Sequence, residues 1–208
     1  MDRRKEMEMA KRARRTWLLV VIGIGALVVV GGLIALRPNV RPLTWAIRTF
    51  AVLGYLCVFL AALSSIYMRE LVRWFGRSFV KTHHVVTVTG LILITLHPLG
   101  VASNFGSLSV FVQMNYRSWM DVLRWGGRGA WYLIGIASLV ALFRAKLRNQ
   151  WRYVHWLNYL AFFLASAHAV LLGSDFQSPA MKAIPIVLSL ALIAVFVQKR
   201  LQRSRIGK

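Results

Sequence analysis

The chain carries five histidines, and all of them fall in two apolar stretches. Lys81–Gly100 (KTHHVVTVTGLILITLHPLG) has His83 and His84 at one end and His97 at the other. Arg152–Gly173 (RYVHWLNYLAFFLASAHAVLLG) repeats the layout with His155 and His168. Neutral imidazole is a good axial ligand for haem iron. Histidine inside a membrane span is costly enough to need a partner or a function. His97 follows His83 by 14 residues and His168 follows His155 by 13. Either interval separates two levels by ~20 Å along a helix. Two helices of this design can clamp two haems, one above the other, with one histidine from each helix at each level.

Helical geometry fits the first stretch better than the second. Fourteen residues at ~100° each return to within ~40° of the starting face, whereas thirteen miss it by ~140°. His83 therefore shares a face with His97 better than His84 does, and the second helix must carry a local distortion or its two haems must approach from different sides. Two other readings stand beside haem ligation. Each histidine can act as hydrogen-bonding glue between helices, which would make the chain a non-redox membrane scaffold or transporter with structural histidines. A zinc or copper centre would need ligands gathered at one depth, and no acidic side chain or cysteine stands close in sequence to complete one. The single cysteine, Cys57, lies in an apolar run, which excludes an intramolecular disulfide and a cysteine-based cluster.

Apolar runs must position these histidines. The 208-residue chain is 58% hydrophobic and only 16% charged, against ~25% charged in average globular domains. Six spans follow: Trp17–Leu36, Thr44–Met68, Val80–Ala102, Gly129–Phe143, Tyr153–Gly173 and Met181–Val197. Most are near the ~20 residues that cross the hydrocarbon core, the fourth being shorter. Backbone in lipid must satisfy its own hydrogen bonds, so helices are expected. The expected fold is all-α, a polytopic membrane six-helix bundle. One haem-binding transmembrane domain would occupy 17–199, between a basic N-terminal segment (1–16) and a basic tail (200–208). The run from Trp17 exceeds the ~7–15-residue core of a signal peptide and no A-x-A site follows, so a retained first span is expected. Ser107–Met114 is apolar but too short to span and is expected to be re-entrant or interfacial. Arg48, near the start of the second span, is expected to snorkel. Pro185, near the start of the sixth, is expected to be tolerated there.

The formal net charge of +21 is spread in short clusters between apolar runs, which argues for topology and against nucleic-acid binding. With the N-terminus inside, twenty of the 27 Lys and Arg fall on inner segments and seven on outer ones. Both termini are therefore expected in the cytoplasm. His83, His84 and His155 would then lie near the cytoplasmic face, and His97 and His168 near the outer face. No glycine-rich phosphate loop and no stretch long enough for a nucleotide-binding domain is present, so no NAD(P)H or flavin domain of familiar type is expected. Trp125, Trp131, Trp151 and Trp156 read as an interfacial aromatic belt. Arg144, Lys146, Arg148 and Arg152 read equally as a topology signal and as partners for haem propionates or an acidic protein. Gly90 and Gly100 would let a porphyrin approach the backbone, or let helices pack. Asn158 and Tyr159 would support the ligands from behind, or pack.

These residues resemble the ferric reductase-like transmembrane domain, shared by ferric reductases, NADPH oxidases and the haem-binding membrane subunit of the bacterial methionine sulfoxide reductase system. The resemblance rests on Thr82–Gly100, on Arg144–Gly173 with its W-R-x-x-H-x-x-x-Y run at Trp151–Tyr159, and on six spans with histidines on the third and fifth. It implies a b-type cytochrome that carries electrons across the bilayer through two haem b groups, or one. His83, His97, His155 and His168 match the axial ligand positions. The glycine that family members often have four residues after the first histidine is absent here, where Thr87 or Val88 stands, so His84 remains an alternative to His83. The implied setting is a bacterial or archaeal cell membrane, with lipid as the first partner. The implied donor is a separate cytoplasmic flavin reductase or a quinol. The implied acceptor is an outer-face protein, ferric iron or oxygen, the last two making the chain a self-contained reductase. With both axial positions filled by histidine, electron transfer is expected rather than oxygenation.

Overall fold

A computed structural model describes residues 41–76, 78–112, 116–147, 150–176 and 179–206. The expected span Trp17–Leu36 and the basic segment before it lie outside the described residues. In chain order the helices are α1 (Pro42–Ile66), α2 (Met68–Phe75), α3 (Ser78–Phe105), α4 (Ser109–Val112) and α5 (Trp119–Arg124). They continue as α6 (Gly126–Leu142), α7 (Arg144–Leu147), α8 (Trp151–His155), α9 (Leu157–Leu172) and α10 (Pro179–Ile206), with a 3-10 turn at Ser174–Phe176 before α10. Among the described residues there is no β-strand.

Four helical stretches are long and apolar enough to cross a membrane: Pro42–Ile66, Ser78–Phe105, Trp151–Leu172 and Met181–Gln202. Gly126–Leu142 is a shorter apolar helix. Only 11 to 22% of the residues in the most apolar parts of these four lie buried inside the protein. Val85, Ile92, Val187 and Leu190 are each more than half exposed. Apolar surface on this scale would be an aggregation hazard in water, and it is the natural face toward lipid. The architecture is that of an integral membrane protein in contact with lipid.

Close approach of α1 and α3 forms the centre of the bundle. Side chains added at Gly54, Gly90 and Gly100 would sit 2.7 Å from Ile94, 2.8 Å from Cys57 and 2.5 Å from Ile47. The order of these pairs makes the two helices antiparallel, and the small residues permit the contact as they do between membrane helices generally. Gly90 and Gly100 thus serve helix packing: both face α1. A second antiparallel pair is α6 and α9, where Gly126 lies against the Leu164 backbone. Phe162, fully buried on α9, stacks on Tyr55 of α1 with ring centres 5.1 Å apart and packs with Leu192 of α10.

Two sequence expectations change in the folded chain. Arg48 does not reach outward but is 9% exposed, buried among helices next to Ile47. Pro185 lies well inside α10, which begins at Pro179, and it is buried. Its ring removes one helical hydrogen bond beyond the first turn, where proline is costly.

The chain turns between α2 and α3 at Gly76, whose φ of 81° is a left-handed value that glycine adopts freely. At this end of the bundle Lys199 of α10 pairs with Glu70 of α2 at 2.6 Å, its ammonium 4.6 Å from the Tyr67 ring centre. Arg200 lies over the rings of Trp156 and Phe196.

Candidate functional site

The fold gathers four of the five histidines into two pairs. His83 of α3 and His155 of α8 line one cavity and lie within electrostatic reach of each other. His97 of α3 and His168 of α9 form the second pair, also within electrostatic reach. His84 is exposed, its ring centre 6.0 Å from that of His83, and it does not line the cavity.

The first pair lines a cavity of about 40 Å³ between helices, open on one side to the surroundings. Its walls combine apolar Val58, Leu91 and Ile134 with polar Ser65, Thr87, Asn158 and Tyr159. His83 Nδ1 lies 2.8 Å from the Ser64 hydroxyl of α1. Asn158 donates from Nδ2 to the carbonyl of His155 at 3.0 Å and stands 3.2 Å from its Nδ1. The His155 ring also reaches the Ala137 carbonyl on α6. Behind the cavity the Ser65 hydroxyl lies 2.8 Å from the Ala62 carbonyl and shares a hydrogen bond with the Tyr159 hydroxyl at 2.7 Å.

The second pair is held by main chain. His97 donates from Nδ1 to the Ile47 carbonyl at 3.0 Å, and His168 donates from Nδ1 to the Arg124 carbonyl at 2.6 Å. A carbonyl only accepts, so both rings carry the proton on Nδ1 and leave Nε2 bare. The Arg124 carbonyl is one of the unpaired acceptors at the end of α5. Ser118 caps that helix by accepting from the Asp121 amide, and the Asp121 carboxylate accepts from the Arg117 amide and the Ser118 hydroxyl. Gly127 packs on the His168 ring; a side chain there would sit 2.9 Å from Nε2. These contributors were missed in the sequence, although the S-x-x-D run at Ser118–Asp121 is a legible helix start.

The thirteen-residue interval is accommodated at Trp156, between α8 and α9. The Trp156 amide is shared between the Arg152 and Tyr153 carbonyls, both at 3.2 Å, and Tyr159 N–H donates to the Trp156 carbonyl at 3.0 Å. Trp156 has φ −66° and ψ −19°, values of 3-10 winding. Each residue wound at three per turn adds ~20° over an α-helix. Three or four such residues recover about half of the ~140° mismatch between His155 and His168.

Among the described residues no group of three or more His, Cys, Asp or Glu side chains could hold a metal ion. What the histidines offer is pairs, the ligand number of a porphyrin-bound iron. No family model, curated protein or solved structure matches the chain.

Proposed function

We propose that this protein is a b-type cytochrome of the membrane, carrying electrons across the bilayer on two haems. His83 and His155 would hold one haem and His97 and His168 the other. The reading is supported above all by two histidine pairs at two depths, with His97 and His168 both held by main-chain carbonyls in the tautomer that leaves Nε2 bare. The residues fit the group at the second level, where Gly127 also keeps side-chain atoms away from His168 Nε2. At the first level the Ser64 contact suits His83, while His155 would have to keep its proton on Nδ1 and free Nε2, against the Asn158 Nδ2 that faces Nδ1 and the Ala137 carbonyl that the ring also reaches.

When bound, haem would supply the one-electron carrier. The chain's own residues orient the imidazoles, exclude water and fix the separation of the two levels. The Ile47 and Arg124 carbonyls accept hydrogen bonds from the second-level rings, which strengthens imidazole as a donor to metal. The positive-inside count supports cytoplasmic termini, a six-helix bundle including Trp17–Leu36, and a first level near the cytoplasm. A separate flavin reductase or a quinol would donate, and an outer-face protein, ferric iron or oxygen would accept.

A second reading has its own observation. His97 and His168 each tie a helix to another segment through Nδ1, as structural histidines in a non-redox scaffold would. A visible spectrum of the purified protein separates the two. The cytochrome reading expects a Soret and α-band response to dithionite and two haems per chain. A His168→Ala variant should lose one haem and retain the other. A protein without haem bands refutes the reading, and retention of both haems by His168→Ala refutes the pairing.

A further inference from the structure

His83 and His84 are adjacent, ~100° apart around one helix, and their ring centres are 6.0 Å apart. Side-chain chemistry alone does not choose between them. Ser64 on α1 does. Its hydroxyl donates to the Ala61 carbonyl at 3.0 Å. A serine has one proton to give; when it goes to Ala61, the Ser64 oxygen accepts from His83 Nδ1, 2.8 Å away. In that arrangement the proton of the contact belongs to Nδ1, and a neutral His83 ring is left with a bare Nε2.

No other hydroxyl nearby can take this part. Ser65 is engaged with the Ala62 carbonyl and the Tyr159 hydroxyl. Thr87, one turn along α3, donates to the His83 carbonyl at 2.8 Å. His84 is exposed and has no such acceptor among the described residues. Across the cavity, Asn158 presents a donor to His155 Nδ1. His83 is therefore the first-level ring beside a hydroxyl able to hold it in the tautomer that ligation needs.

We infer that Ser64 is a positioning residue that selects His83 over His84 as the first-level ligand, by holding the His83 proton on Nδ1. The inference rests on the cytochrome reading for its purpose, but the tautomer it asserts exists without haem. The test therefore begins with the full chain in lipid bilayers, haem-free and with 15N-labelled histidine, the His83 signals being assigned by comparison with His83→Gln. The ring should show a protonated Nδ1 and a bare Nε2. Ser64→Ala should shift the population toward protonated Nε2, and Ser64→Thr, which keeps the hydroxyl, should restore the original pattern.

In the haem-loaded protein, Ser64→Ala should lower first-level haem affinity ~10–100-fold, the usual effect of removing a group that orients a metal ligand. His84→Ala alone should leave haem content unchanged. Removal of a haem by His84→Ala alone, or an unchanged His83 tautomer in Ser64→Ala, overturns the inference. If the protein takes up no haem at all, the cytochrome reading fails while the tautomer measurement still decides whether Ser64 sets His83.

Discussion

The Nδ1 proton of His168 is given to the main-chain carbonyl of Arg124, 2.6 Å away and 44 residues earlier in the chain. The acceptor belongs to the end of α5, a six-residue helix in the long connection between α3 and α6. A short surface helix thus orients a ring of the candidate centre.

That relationship separates the side chain of Arg124 from its backbone. Arg124→Ala should leave second-level haem content unchanged, because the carbonyl remains. Ser118→Ala removes the cap of α5 at a cost of ~1 kcal/mol and should lower second-level content with little effect on the first. Haem-to-protein ratios of the two variants check this; equal ratios would show that α5 does not set the ring.

Gly127 can be probed by adding one carbon. Gly127→Ala places a methyl 2.7 Å from His168 Cδ2 and 2.9 Å from Nε2, so the ring or α6 must move. Overpacking of this kind costs ~1–3 kcal/mol. The expected result is a protein that folds, keeps the first-level haem and loses or loosens the second, read from reduced-minus-oxidised spectra.

The Asn158 amide opposes ligation by His155, because its Nδ2 faces Nδ1. Asn158→Asp replaces that donor with an acceptor and favours the proton on Nδ1. First-level haem content should rise relative to the native chain when haem is limiting. A fall would mean that the amide does not control the ring.

The ion pair between Glu70 and Lys199 carries a pH signature. The Lys199 hydrogen bond, the largest influence, holds the Glu70 carboxyl below its ordinary value. A carboxyl lowered by folding contributes stability above its unfolded value, ~4.3, and that contribution is lost as pH falls through the lower folded value. Exposed pairs contribute ~0.2–1 kcal/mol, so the acid-side loss of thermal stability should be small. Glu70→Gln should remove that part of the slope and leave stability near neutral pH slightly lower, as thermal unfolding at a series of pH values would show.

Much of the candidate site was legible because helices convert spacing into depth. The intervals of 14 and 13 residues set two levels, and the angular misfit of the thirteen-residue interval is met in part by the winding at Trp156. The apolar runs required helices, since backbone in lipid has no other donor or acceptor. The groups that orient the rings were not legible. Ile47 stands 50 residues from His97, Arg124 stands 44 from His168, and both act through carbonyls that every residue possesses.

The amino-acid sequence by itself determined the apolar helices, the two histidine levels and the misfit of the second histidine helix. Tertiary structure decided which face each residue shows. It turned Gly90 and Gly100 toward α1, buried Arg48, put His83 rather than His84 on the cavity wall, and supplied Ser64 to hold it. The physical reason is that rise along a helix is a property of one segment, whereas the angle at which a face meets its partner, and the proton each imidazole keeps, depend on the neighbour packed against it.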